Sequence, residues 1–511
     1  MLMLLAFFAL SLGLSILLTP LARAWASRCG LTDKPDERRK LHSQAIPVGG
    51  GVAVLLASLA TISVMLLSDL CPWREEFYEQ STLWLGLAAA SIFICGVGTL
   101  DDRGYLRGRY KLLGQIIAIA ILISAGLVVD TIRIVDMEFP LSIWAIPFTA
   151  FFLLGAINSL NLLDGMDGLL STVALIVTLA FAGMAVMGGR WVPACIAVTI
   201  AGALLGFLRY NLPPASIYLG DAGSMLIGLV IGSLAIKSSL KGPTTFALAA
   251  PVAILVIPIL DTTAAIFRRK LTGRSIYTTD RGHLHHCLLR RGFSKGMVLL
   301  FVSFFCLWAA GGAYLSITLD SEWLALFAAL TVALALISMR WFGYGEMLLV
   351  GDRLRGLAAS VLRSRGSIGP QHSAIRLQGS GAWADQWAFL AQAAEDMTLK
   401  AMRLDINAPA LHESYHGRWV NPGDEDTEAG DTSWNVAIPL LWQGQTVGRL
   451  EVSGGRDDQP VWQKIATLTK LVEELEQILC KIADDAGLPT PPLAEPVQSP
   501  HQHALDLTLT E

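Results

Sequence analysis

Four short polar stretches carry almost all the side chains in this sequence that could do chemistry. The first is Asp101-Asp102-Arg103, followed closely by Arg107, Arg109 and Lys111. Adjacent carboxylates repel, and holding both beside apolar surroundings needs a cation or a proton-transfer role. A solvated loop would explain the basic residues but not the acidic pair. The second runs from Asn158 through Asn161, Asp164 and Asp167 to Gly168. Spacings of three put Asn158, Asn161 and Asp164 along one face if the stretch is helical. Gly165 and Gly168 let the backbone turn and approach a ligand closely. Amide and carboxylate oxygens are the donors that a hard ion such as magnesium takes, alongside phosphates and water. A helix end with an Asp-Gly turn accounts for Asp167 and Gly168, but not for two amides and two carboxylates together.

The third stretch is Tyr218-Leu219-Gly220-Asp221-Ala222-Gly223-Ser224, where Asp221 taken alone reads as a helix cap before it reads as a ligand. The fourth, Asp280-Arg281-Gly282-His283-Leu284-His285-His286, puts three of the nine histidines within four residues. Histidine beside arginine suits a phosphate or sugar clamp. Zinc is the rival there, although adjacent His285 and His286 do not easily share one tetrahedral ion. Together the four stretches supply oxygen donors, a lysine and an arginine–histidine loop. That inventory suits phosphoryl transfer, where positioning and charge neutralisation carry the catalysis.

The elements that must position them are membrane helices. The 511 residues are 53% hydrophobic and 16% charged, with a mean hydropathy of +0.53. Soluble domains carry about a quarter charged residues. The excess apolarity lies before about residue 342. Eleven apolar runs of roughly 18 or more residues are expected to span a bilayer: 2–22, 47–68, 82–100, 112–130, 141–158, 169–187, 191–208, 217–236, 246–267, 297–319 and 322–340. The first has no preceding positive charge and reads as a retained helix rather than a cleaved signal. With the N-terminus outside, the inner loops hold about nineteen Lys and Arg against about five outside, which orients the chain. All four polar stretches then fall on the inner side. The spans are almost free of acidic residues apart from Asp261. A transporter or a receptor with a sensory tail would favour midplane charges and repeats. A structural scaffold would give the acidic inner loops no purpose. The seven cysteines include no CxxC pair and imply no disulfide framework.

In this order and at these span ends, the four stretches resemble the polyprenyl-phosphate N-acetylhexosamine-1-phosphate transferases, in the branch of the enterobacterial common antigen and teichoic acid starters. The resemblance covers roughly residues 1–340 and includes Asp33-Lys34-Pro35-Asp36 and Ile46-Pro47-Val48-Gly49-Gly50-Gly51. It implies an all-α polytopic fold of ten or eleven helices around a cytoplasm-facing cleft in the bacterial inner membrane. It also implies transfer of a HexNAc 1-phosphate, GlcNAc 1-phosphate first among them, from a UDP-sugar to undecaprenyl or another polyprenyl phosphate, starting a cell-envelope glycan. The implied cofactor is magnesium or manganese, held by Asn161 and Asp221. Asp101, Asp102 and Lys111 match the catalytic positions near the lipid phosphate. Asp164 and Asp167 match the nucleotide side, and Arg281, His283, His285 and His286 the sugar and pyrophosphate loop. The His-Leu-His-His form looks like this branch rather than the muramyl-peptide one. Direct attack by the lipid phosphate is the expected mechanism, with a phospho-aspartate as the other route. A decayed, inactive relative is disfavoured because every key polar position is filled.

The C-terminal part departs from that family. It reads as a transferase core over 1–342, a linker over 343–374, a cytoplasmic α+β domain over 375–485 and a disordered tail over 486–511. A helix is expected from Trp383 to about Lys400, two strands around a Gln-Gly turn between Asn435 and Val452, and a helix from Val461 to about Ile482. This order is loosely similar to GAF-type sensory domains, so a regulatory ligand or partner is expected there. The expected partners are otherwise the two substrates and a second copy in a homodimer, with no nucleic acid.

Overall fold

The computed structural model describes residues 1–33, 45–68, 71–135, 137–239, 245–272, 282–351, 354, 371–378, 382–411, 413–421, 434–455 and 461–485. Asp280, Arg281, Asp36, most of the 343–374 linker and the 486–511 tail lie outside them. The chain forms two compact units. The first holds Met1–Lys270 and Arg274–Tyr344, and the second holds Leu271–Gly273 and the chain from Gly345 onward.

In the first unit every expected apolar run is helical. The helices are α1 (Leu2–Arg28), α2 (Gly50–Leu67), the short α3 (Arg74–Glu79), α4 (Ser81–Asp102), α5 (Gly108–Ser124), α6 (Ala145–Leu163), α7 (Leu169–Met187), α8 (Trp191–Asn211) and α9 (Gly220–Ser238). Then come α10 (Ala249–Ile254), α11 (Val256–Thr272), α12 (Leu284–Arg290), α13 (Lys295–Thr318) and α14 (Glu322–Ser338). Eight of the described helical stretches are long and apolar enough to cross a membrane. The other three expected spans are shorter or broken. Helices α5 and α14 each have 17 residues. The ninth run divides between α10 and α11 because Pro258 has no N–H to give the Ile254 carbonyl one turn back. The protein is a multi-pass membrane protein. Its large apolar side chains on the outer surface, such as Leu85, Phe151 and Leu300, are more than two-thirds exposed, which suits lipid and not water.

Helix α9 is the hub. Its apolar window is 83% buried, so neighbours surround it on nearly every side. Two of them approach it through glycine. A Cβ on Gly51 would lie 2.3 Å from the Gly223 nitrogen, and one on Gly98 would lie 2.4 Å from the Ala222 nitrogen and Cα. The Pro-Val-Gly-Gly-Gly run therefore serves backbone contact. Gly49 and Gly50 both donate to the Tyr218 carbonyl, and Tyr218 donates back to the Pro47 carbonyl. This fixes the N-terminal end of α9 against the start of α2. At the opposite end, the strand Thr131–Ile134 pairs antiparallel with Met137–Pro140 and parallel with Thr245–Ala247. A two-residue antiparallel pair, Thr32–Asp33 with Ile46–Pro47, lies just before α2.

The second unit is α+β. Five antiparallel strands, Gln371–Gln378, Leu399–Ala408, Glu413–Val420, Trp434–Trp442 and Gln445–Gly454, stand in the order first, third, second, fifth, fourth. Helices Ala382–Asp396 and Val461–Asp485 bury Trp387, Leu390, Leu468 and Leu475 with Met402, Leu404 and Ile406 in one core. The first helix is shorter than its sequence suggests. It ends at Asp396, and Leu399 and Lys400 already belong to a strand.

Candidate functional site

The N-terminus of α9 is where the first, second and third polar stretches meet. Asp102, the last residue of α4, accepts hydrogen bonds from the backbone N–H groups of Asp221 (2.8 Å) and Ala222 (3.2 Å). It caps α9 from a neighbouring helix, a placement that also suits its charge to the positive end of the helix dipole. Gly220 has φ +72°, and a side chain there would meet both Val48 and the Asp102 carboxylate. Only glycine lets the capping carboxylate come so close.

With the backbone of Asp221 held, its side chain binds partners from two other helices. Lys111 Nζ lies 2.8 Å from Asp221 and 2.8 Å from Asp101, forming an ion pair with each. Asn161 donates its amide N–H to Asp221 at 2.7 Å. Asp101, Asp102, Lys111, Asn161 and Asp221, drawn from α4, α5, α6 and α9, therefore form one cluster.

Asn158 takes another role than the one its spacing suggests. It does not turn to the cluster with Asn161 but donates to the side-chain oxygen of Gln115 (3.0 Å), a residue 1% exposed in α5. Gln115 lies one turn from Lys111, and Asn158 one turn from Asn161. The buried amide pair thus fixes how α5 and α6 face each other, and with it the distance between Lys111 and Asn161.

A cavity of about 380 Å³ opens beside the cluster. Asp102, Asn161, Asp164 and Asp221 line it, and Asp167, Lys295, Tyr218, His286, Asp33 and Asn211 are among the other residues of its wall. Asp167 is 5% exposed and receives Lys295 Nζ at 2.9 Å, the Tyr218 hydroxyl at 3.4 Å and the Ala215 N–H at 3.4 Å. Asp164, the half-buried residue just past the end of α6, is pushed up to about 8 by burial, with the Asp221 and Asp102 charges adding to the effect. That many carboxylates around one concavity favours a bound cation.

The histidines part company. His286 lines the cavity. His285 is 1% exposed and packs on Gly165, where a Cβ would lie 2.4 Å from its Nε2. Among the described residues neither of its ring nitrogens has a hydrogen-bond partner. Burial pulls it down to about 4, so it is neutral near pH 7. His283 is buried, and its Nδ1 lies 2.9 Å from Asp261. Arg281 lies outside the described residues.

Among the described residues no group of three or more His, Cys, Asp or Glu is arranged to hold a metal. The donor set that does converge, an amide and a carboxylate on the cavity wall, fits magnesium, which takes its remaining ligands from phosphates and water. It does not fit a closed zinc site.

Sequence reasoning missed Lys295, Gln115 and the role of Asp261. Lys295 looks like an ordinary helix-start lysine, and nothing local ties it to Asp167, 128 residues away. Asp261 did carry a signal, being an acid isolated in an apolar run.

Known proteins are similar to much of this chain. Residues 84–239 match the family described as Glycosyl transferase family 4. A probable undecaprenyl-phosphate N-acetylglucosaminyl 1-phosphate transferase of Bacillus subtilis is 31% identical over 297 residues, covering 58% of this chain and 80% of the relative. A decaprenyl-phosphate N-acetylglucosaminephosphotransferase of Mycolicibacterium smegmatis is 33% identical over 340 residues, 62% of this chain and 82% of the relative. An undecaprenyl-phosphate alpha-N-acetylglucosaminyl 1-phosphate transferase of Escherichia coli K12 is 26% identical over 331 residues, 63% and 85% of the two chains.

Proposed function

This chain belongs to the polyprenyl-phosphate N-acetylglucosamine-1-phosphate transferases of glycosyl transferase family 4, and on that premise we propose that it moves GlcNAc 1-phosphate from UDP-GlcNAc to a polyprenyl phosphate and releases UMP. One observation carries the reading. Asp101 and Asp221 meet at Lys111, Asn161 binds Asp221, and Asn161 and Asp221 line a cavity that Asp167, Lys295 and His286 line as well. Such a site can hold two phosphate groups and a cation while keeping a nucleotide and a lipid head group apart.

A lipid phosphate oxygen forms the new P–O bond to the donor's β-phosphorus. The bond from that phosphorus to the bridging oxygen breaks, and UMP carries the bridging oxygen away. Asn161 and Asp221 would hold magnesium. When bound, the ion neutralises pyrophosphate charge that would otherwise repel an anionic nucleophile. Lys111 sits between Asp101 and Asp221, favours the charged form of each and orients both. Asp101 accepts any remaining proton of the lipid phosphate. Asp102 holds the first turn of α9, so that Asp221 stays fixed as charge shifts. Asp164 and Asp167 serve the nucleotide side, with Lys295 and Tyr218 orienting Asp167.

The loop charges support an orientation with this site at the inner face of the bacterial cytoplasmic membrane. The second unit is proposed as a cytoplasmic regulatory domain. Purified protein in lipid nanodiscs, given undecaprenyl phosphate, magnesium and a panel of UDP-HexNAc donors, is expected to release UMP fastest with UDP-GlcNAc and to stop on chelation. UMP release that survives chelation, or none with any donor, refutes the reading.

A further inference from the structure

Asp261 is a carboxylate in the ninth apolar segment, 1% exposed, far in sequence from the other acids. Burying a carboxylate costs several kcal/mol unless its oxygens are paired. Both of its oxygens are paired, and both reach across to the histidine loop. Oδ1 accepts from the Leu284 backbone N–H at 2.8 Å, and Oδ2 meets His283 Nδ1 at 2.9 Å. Leu284 is the first residue of α12, whose preceding residue, His283, makes no side-chain cap of its own. Asp261 therefore satisfies that open N–H from another helix.

We infer that Asp261 is a positioning residue that locks His283 in the tautomer bearing its proton on Nδ1 and thereby sets the histidine loop against the cavity. An ionised carboxylate can only accept, so the proton between the two groups belongs to Nδ1, and Nε2 is left as the free face of the ring. The lock extends to the cavity through packing. The His283 and His285 rings lie 6.2 Å apart and 11° from parallel, and the His286 ring packs on His285 at 4.2 Å, tilted by 39°. His285 is backed by Gly165, the neighbour of Asp164, and His286 lines the cavity. Turning the His283 ring would disturb His285 and, through it, His286. A carboxylate serving only the stability of α11 would bond within its own helix. Among the described residues this one hydrogen-bonds only to the loop.

Asp261→Asn is the discriminating change, because it preserves size and leaves an oxygen for the Leu284 N–H. Its amide, however, donates to Nδ1 and drives the His283 proton to Nε2. The full-length chain labelled with ¹⁵N-histidine in detergent reads the tautomer directly, the His283 signal being assigned by its disappearance in His283→Gln. We expect Nδ1–H in the parent and Nε2–H in Asp261→Asn. The kinetic arm rests on the reaction proposed above. At unchanged melting temperature, kcat/KM for the UDP-sugar is expected to fall about 10- to 100-fold, with KM for the lipid unmoved. Asp261→Glu, which restores an acceptor, is expected to recover part of the loss. An unchanged tautomer overturns the inference, as does full turnover after the tautomer has switched. So does a loss explained by less folded protein that Asp261→Glu does not relieve. If the parent chain turns over no UDP-sugar at all, the failure belongs to the proposed reaction, and the tautomer comparison decides the lock by itself.

Discussion

Asp221→Ala is expected to lower magnesium-dependent UMP release by about a thousandfold or more, equivalent to about 4 kcal/mol of lost transition-state stabilisation. Asp221 is where the contributions of three helices meet, since Lys111 Nζ and Asn161 Nδ2 both bind its carboxylate within 2.8 Å. The substitution removes the acid proposed to share a cation with Asn161 and leaves Lys111 with Asp101 alone. The fold should survive it. Asp102 caps the backbone of residues 221 and 222, a contact that needs no side chain at position 221. Asp221→Asn keeps the shape and loses the charge, so it should fall almost as far. The check is UMP release by purified variants matched for thermal unfolding. Near-normal turnover in either would remove Asp221 from the ion site.

Lys111→Met should lower kcat by about a hundredfold or more, for the opposite electrostatic reason. Lys111 is the shared cation of Asp101 and Asp221, at 2.8 Å from each, in a setting where desolvation makes unpaired charge expensive. Without it the two carboxylates repel, and one takes up a proton or draws in the wrong cation. A second readout separates this role from simple damage. Removing a positive charge beside the proposed ligands should strengthen divalent-ion binding, so the residual rate should reach half its maximum at a lower magnesium concentration. Lys111→Arg keeps the charge but changes its geometry, and should retain more activity than the methionine variant. A methionine variant with normal kcat, or one needing more magnesium, contradicts the assignment.

How far the sequence showed all this differed from level to level. The apolar segments were legible because a membrane span is a matter of length and composition, which need no tertiary information. Their ends were less so. The segment read as 112–130 is a helix from Gly108 to Ser124, since Arg109 and Lys111 sit within its first turn and Gly126, at φ +95°, lies just past its end. In the second unit, the helical pattern from Ala382 ran on in sequence into a strand. Thr398, at φ +49°, breaks it, and the alternation of Met402, Leu404 and Ile406 marks the strand that follows.

At the site, residue types pointed to Asp101, Asp102, Asn161, Asp221 and Lys111 because acids and amides at helix ends stand out in an apolar chain. Which groups touch was not legible. Asn158 has the same spacing credentials as Asn161, and only the packing of α5 on α6 turns it to Gln115. Lys295 and Asp261 act across 128 and 22 residues of sequence, distances at which a single chain carries no pairing signal. The glycines read as turn formers turn out in part to be contact points. Gly165 leaves room for His285, and Gly51 lets α2 reach Gly223.

The central claim is that a phosphoryl group, and not a bare sugar, crosses from nucleotide to lipid. UDP-GlcNAc radiolabelled in its β-phosphate distinguishes the two with purified protein, undecaprenyl phosphate and magnesium. The label should enter the organic-soluble lipid fraction in equal amount with the sugar, while unlabelled UMP appears in the aqueous phase. Label remaining in water as UDP, with sugar alone on the lipid, would contradict the account.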